Sequence, residues 1–295
     1  MRGSGDRGGW IAVGILAVSL LVAGSALADD DQGSEGPFHF WLEDPDNEAT
    51  PVVQTATADC RGDERLIGGG AQVQGATGFG RMTASRPFDD GDGDKRADDG
   101  FKAGAGFAGG GPSGAVAQAI CSTRRVKVPM ASRRQGGLSD KTVKVGCPRG
   151  TSVSTGGAST DNADARLNSS YPYDDGDANA NPADGWAVRV FNSSIDGARI
   201  KAYAVCTRRP IDYAITESTE PAGSPTYTTL TCPDLDQVAI AGGVRFDGLV
   251  SAVRLIEAVS RDDVDALLVP GDQIEFGYDV DGDPKPLTRI AVCAA

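Results

Sequence analysis

The side chains with the most chemistry in them fall into two sets: aspartates crowded into a loop that occurs twice, and six cysteines at regular intervals. The first loop reads Ser85-Arg-Pro-Phe-Asp89-Asp90-Gly-Asp92-Gly-Asp94 and runs on to Asp99-Gly100-Phe101. It returns as Ser170-Tyr-Pro-Tyr-Asp174-Asp175-Gly-Asp177-Ala-Asn179, running on to Asp184-Gly185-Trp186. Crowded carboxylates repel one another, and a hard cation taking roughly six to eight oxygen ligands would relieve that repulsion. Asp89, Asp90, Asp92, Asp94, Asp174, Asp175 and Asp177 are therefore the candidate metal ligands, and calcium is the cation to expect outside a cell.

The match to an EF-hand loop fails, because Lys95 stands where that loop needs glycine and Phe101 where it needs the bidentate glutamate. The competing reading is a pair of solvated acidic turns, in which Phe101 and Trp186 anchor the following strand. Aromatic rings beside carboxylates also suit sugar recognition, which makes Phe101 and Trp186 candidate ligand contacts. A fainter third copy begins at Asp262-Asp263-Val264-Asp265, and Asp279-Val-Asp281-Gly-Asp283-Pro284 reads as a hairpin turn through its Asp-Gly step.

Catalytic constellations are hard to assemble from the rest. His39 is the only histidine, and it sits in an alternating Phe38-His39-Phe40-Trp41 segment that reads as a strand. There is no Gly-x-Ser-x-Gly elbow, no Cys-x-x-Cys pair and no Cys/His cluster to hold zinc. A carboxylate-based hydrolase would need two acids in differing environments beside a cleft, which aspartates on adjacent turns do not offer. A non-catalytic protein is expected.

The cysteines reveal how these loops are positioned. Leading cysteines Cys60, Cys147 and Cys232 recur after 87 and 85 residues; closing cysteines Cys121, Cys206 and Cys293 recur after 85 and 87. Glycine-rich strands follow each leading cysteine at Leu66–Ala71, Val153–Ala158 and Ala239–Val244. Ala/β-branched strands run into each closing cysteine at Val116–Cys121, Lys201–Cys206 and Thr288–Cys293. Alternating segments precede each leading cysteine: Phe38–Leu42 with Pro51–Thr55, Val126–Met130 with Thr142–Val145, and Ile211–Ile215 with Tyr227–Leu230. The fold class is all-β: three homologous antiparallel units of about 85 residues, each of five or six short strands. They either surround a pseudo-threefold axis in a β-prism-like domain or form packed sandwiches, and the short, strand-like linkers favour joint packing. Glycine pairs at one offset in every unit point to a close backbone approach and not to a phosphate loop, which would need a following helix.

Two disulfide schemes fit the spacing. One pairs cysteines inside each unit; the other joins Cys121 to Cys147, Cys206 to Cys232 and Cys60 to Cys293. The first is favoured because it would make each unit self-sufficient.

Basic residues at Arg2 and Arg7, an apolar run from Trp10 to Ala23 and small residues at Ala26 and Ala28 have the layout of a secretory signal over residues 1–28. A disordered spacer at 29–36 then leads into units at 37–121, 122–206 and 207–293. Removing the signal takes away two basic and one acidic side chain, so the net charge moves from -13 to -14. Such a chain repels nucleic acid and anionic lipid, and no membrane insertion is expected once the signal is cleaved.

The second unit carries Cys147-Pro148, Gly156-Gly157, Ser170, Pro172, Asp184-Gly185-Trp186, Asn192 and Ala202-Tyr203-Ala204-Val205-Cys206. This pattern resembles a repeat of secreted proteins from high-GC, actinobacterial-type bacteria whose role is not defined. The resemblance implies export and repetition and supplies no activity. The first unit departs from it at Arg61 and Phe101, and the third lacks Asp-Gly-Trp. Three such units are also similar in kind to pseudo-threefold β-prism proteins, such as vitelline membrane outer layer proteins and some lectins. The expected function is a secreted extracellular or surface module binding a glycan or cell-surface partner. The alternatives are a purely structural envelope protein and, third, the hydrolase.

Overall fold

The computed structural model describes residues 39–43, 53–75, 80–91, 93–94, 96–107, 113–176, 181–223, 225–234, 236–248, 253–261, 271–280 and 283–295. The signal segment, the spacer, Asp92, Asp177 and the Asp262–Asp265 copy lie outside the described residues. Among the described residues every helix or strand element is a β-strand. The first repeat supplies β1 (His39–Glu43), β2 (Val53–Asp59), β3 (Arg65–Gly75), β4 (Gly80–Phe88), β5 (Gly100–Phe107) and β6 (Ser113–Ser122). From the second come β7 (Met130–Gln135), β8 (Ser139–Gly146), β9 (Ser152–Thr160), β10 (Ala165–Tyr173), β11 (Gly185–Asn192) and β12 (Ala198–Thr207). The third repeat adds β13 (Asp212–Glu220), β14 (Thr226–Thr231), β15 (Val238–Phe246), β16 (Val253–Arg261), β17 (Gln273–Val280) and β18 (Lys285–Ala294).

These strands form three six-stranded antiparallel sheets, ordered β2-β5-β4-β9-β12-β7, β13-β18-β15-β10-β11-β8 and β1-β6-β3-β16-β17-β14. No sheet belongs to one repeat. The first, sixth and third strands of a repeat make half of one sheet, and its second, fifth and fourth make half of another. Fourth strands pair with third strands of the next repeat, β4 with β9, β10 with β15, and β16 back to β3, so the pairing closes into a ring. This corrects the idea of self-sufficient units: a repeat cut away would be two half-sheets, each with an open edge that needs a partner.

Two further expectations change for related reasons. β17 and β18 lie in different sheets, so Asp279–Pro284 does not join hairpin partners, and the Asp281-Gly282 step itself lies outside the described residues. Asp-Gly favours a local chain reversal, but the flanking strands find their partners elsewhere. Similarly, Val126–Met130 is not a strand: the strand is β7, starting at Met130, and only Lys127 forms an isolated bridge, to Cys206. Pro129 has no N–H to give a ladder there.

The glycine pairs explain why the sheets approach so closely. A Cβ on Gly69, Gly156 or Gly242 would strike an inward side chain of the same repeat's fifth strand: Phe101, Trp186, or Ile274 with Phe276. A Cβ on the following Gly70, Gly157 or Gly243 would strike the neighbouring repeat's fourth strand, at Ala258, Ser85 or Tyr171. One glycine thus seats an anchor under its own sheet, and the next opens the seam between repeats. Just upstream, Ile67 and Ile240 sit where β3 and β15 bulge, and with Ser154 they line a single depression. The seam closing the ring also carries a two-way bond: Gln118 Nε2 donates to the Ser260 carbonyl at 3.1 Å, and the Ser260 N–H donates to Gln118 Oε1 at 2.9 Å.

Three disulfides lie inside the repeats, Cys60–Cys121, Cys147–Cys206 and Cys232–Cys293, with Cα–Cα distances of 5.7, 5.8 and 5.9 Å. In each case one sulfur follows the repeat's second strand and the other lies on its sixth. Every bridge therefore ties together the two half-sheets that a repeat lends to different sheets.

Candidate functional site

Both described acidic loops join a fourth strand to a fifth, the one consecutive pair in each repeat that is hydrogen-bonded. Register places Pro87 opposite Phe101 and Phe88 opposite Gly100; in the second repeat Pro172 faces Trp186 and Tyr173 faces Gly185. The loops consequently begin and end at matching points, residues 89–99 and 174–184.

Their bases are sewn in the same way. Asp99 N–H donates to the Phe88 carbonyl and Asp184 N–H to the Tyr173 carbonyl, each at 3.2 Å. The carbonyls of Asp99 and Asp184 accept the N–H of Cys60 and Cys147, each at 2.7 Å, which fixes the loops to the bridged cysteines. Side chains complete the turn: Asp99 Oδ2 accepts the Asp90 N–H at 3.1 Å, and Asp184 Oδ2 accepts the Asp175 N–H at 2.8 Å. Asp89 Oδ1 and Asp174 Oδ1 accept the N–H of Gly91 and Gly176 at 2.7 and 2.6 Å.

Sequence spacing names only part of the resulting cluster. The carboxylates that come together, each offering an oxygen within 4.8 Å of the others, are Asp89, Asp90 and Asp99 in one loop and Asp174, Asp175 and Asp184 in the other. Asp94 turns aside, its Oδ1 accepting the N–H of Arg96 at 2.8 Å. The third repeat holds an equivalent that the aspartate runs conceal: the Asp272 carbonyl accepts the Cys232 N–H at 2.7 Å, just as Asp99 and Asp184 do for their cysteines. The signal was an aspartate directly before the fifth strand, with Gln273 and Ile274 in place of glycine and an aromatic.

The loops differ at their bases. Asp98 is buried beside Arg65, 3.5 Å away, and burial pushes its carboxyl above the usual range while Arg65 opposes that; the second loop has Ala183 there.

Phe101 and Trp186 are each only 1% exposed, so they are core anchors and not ligand contacts. Trp186 lies over Gly156, and its Nε1 donates to Ser170 Oγ at 2.8 Å, satisfying the one polar group a buried indole carries. His39 lies on β1 opposite Cys121. Neither protein-family models nor curated proteins give a match to this chain.

Three carboxylates could hold part of a cation's coordination shell, but in each loop two of them already close the backbone turn. Asp184→Ala is therefore expected to cost about 1 kcal/mol, the usual worth of such a bond, and Asp184→Asn to recover most of it through its amide oxygen. Melting curves in calcium and in EDTA are expected to coincide. A midpoint that rises with calcium, worth about 2.7 kcal/mol at a hundred times the dissociation constant, would instead establish ion binding.

Proposed function

We propose that this chain is an exported, non-catalytic module that binds an extracellular glycan or a cell surface. The observation that carries the reading is a pair of matched acidic loops, held by the same pattern of backbone and carboxylate hydrogen bonds on a disulfide-stapled ring of shared sheets. Binding proteins commonly place variable loops on a rigid frame of this kind. Three bridges support residence in an oxidising compartment. In each cluster two of the three carboxylates are taken up as acceptors of backbone N–H groups that close the turn, whereas glycoside hydrolysis needs two carboxyls free to act on one bond. This favours binding over chemistry.

The test is a glycan array probed with the bridged, signal-free chain. Retention of one glycan class is expected. A chain that melts normally yet binds no glycan or cell-wall preparation would overturn the proposal in favour of a purely structural envelope role.

A further inference from the structure

The repeats differ sharply in charge. Residues 122–206 hold twelve Lys and Arg against eight Asp and Glu, a net of +4, whereas 37–121 hold seven against thirteen and 207–293 seven against fifteen. A basic middle repeat sits between acidic neighbours.

The strands it lends to the sheet β2-β5-β4-β9-β12-β7 carry Arg133, Arg134, Arg199 and Lys201 and no acid, and the first repeat adds Arg86 and Lys102 on the face turned away from buried Phe101 and Ile200. Arg199 and Lys201 are exposed on β12, and Arg134 on β7 stands directly opposite Arg199. Across the seam, Arg86 on β4 stands opposite Lys102 on β5 and lies over the Tyr203 ring at 5.4 Å, which puts both groups on one face. Lys141 adds its Nζ, donating to the Arg134 carbonyl at 2.8 Å. Like charges set directly opposite each other destabilise a sheet. This one keeps two such pairs.

The other two sheets do not. There Arg261 pairs with Glu275, Arg189 with Asp140 and Arg289 with Glu220. On the basic face, Arg86, Lys102, Arg134, Arg199 and Lys201 form no ion pair with a described residue. Strands lie about 4.8 Å apart, so from β5 to β7 the charges extend over roughly 19 Å.

We propose that this face is a docking strip for an anionic polysaccharide laid across the strands, its carboxylate or sulfate groups meeting the lysines and arginines. The inference rests on the chain being a binding module and goes beyond the acidic loops, adding a second surface with a ligand class of its own. A row of charges suits a linear polyanion better than a small anion. Duplex DNA, with one charge per roughly 1.7 Å, is more densely charged than a chain with one carboxylate per sugar, so repulsion from the acidic repeats on either side falls harder on it.

The experiment titrates the bridged, signal-free chain with polygalacturonate, neutral dextran, duplex DNA and phosphatidylglycerol vesicles at low and moderate salt. Polygalacturonate is expected to bind best, with affinity falling as salt rises. Arg134→Gln, Arg199→Gln and Lys201→Gln combined should weaken it roughly ten-fold or more. Arg61→Gln with Arg149→Gln, exposed elsewhere, should leave it unchanged. Native melting of both variants excludes misfolding. Neutral glycans bound and polygalacturonate ignored would overturn this inference and leave the module reading standing; binding of no glycan would remove both. DNA or vesicles preferred over polygalacturonate would overturn the ligand class, and equal loss in both variants would overturn the strip.

Discussion

Gly157→Ala is expected to lower the unfolding midpoint by roughly 5–10 °C, a large shift for one methyl group in a chain of this size. Gly157 has φ +154°, a conformation side chains rarely adopt, and its Cβ would drive into the Ser85 carbonyl of the neighbouring repeat. Strained backbone and overpacking each cost roughly 1–3 kcal/mol. The blocking atom is backbone, in the short ladder where Ala158 pairs with Ser85 and Ser159 with Ala84, so it cannot swing aside as a side-chain tip would. The effect therefore falls on the joint between the first and second repeats. Hydrogen exchange should locate the loss in β4 and β9, and Gly150→Ala, at a turn glycine whose Cβ would meet no atom, should serve as the comparison for strain without collision. A Gly157→Ala midpoint no lower than that of Gly150→Ala would mean the seam can yield.

Much of this was legible in the residues, because a pattern repeated three times fixes each feature independently. Alternating segments such as Tyr227–Leu230 mark strands correctly, since an edge strand half in water must alternate, and β14 does so along its whole length. The glycine pairs mark close approach. Partner choice was not legible: nothing local in Ala158 says that it pairs with Ser85 in another repeat and not within its own, and the exchange of half-sheets follows from long-range geometry. The same limit applies to the loops. Asp89 and Asp90 announce themselves by crowding, but Asp99 joins them through a register that places Phe88 opposite Gly100. Phe101 and Trp186 looked equally suited to ligand and core, and the glycine beneath each ring decides for the core.

Replacing Cys147 and Cys206 together with serine is expected to cost about 4 kcal/mol, because the bridge closes a loop of 59 residues whose unfolded-state entropy it removes. At roughly 2–4 °C per kcal/mol, the midpoint should fall by about 10 °C. Topology adds a reason for the penalty. Cys147 follows β8, at the edge of one sheet, and Cys206 lies on β12 in a different one, so no backbone ladder between them replaces the lost link. The corner of the second repeat would then rest on the Val153 N–H bond to the Ala183 carbonyl, at 3.0 Å, on the third repeat's Tyr213 Oη donating to the Val153 carbonyl, at 2.6 Å, and on the apolar packing of Ile200 and Val205. Removing both sulfurs also avoids a lone thiol that could exchange with the other bridges. Since each repeat has the same bridge, the Cys60–Cys121 and Cys232–Cys293 double variants should lose similar amounts. A reductant acting on all three at once should unfold the ring in a single step, because every sheet is shared. Three separate transitions, one per bridge, would show that the repeats fold alone and would contradict the exchange of half-sheets.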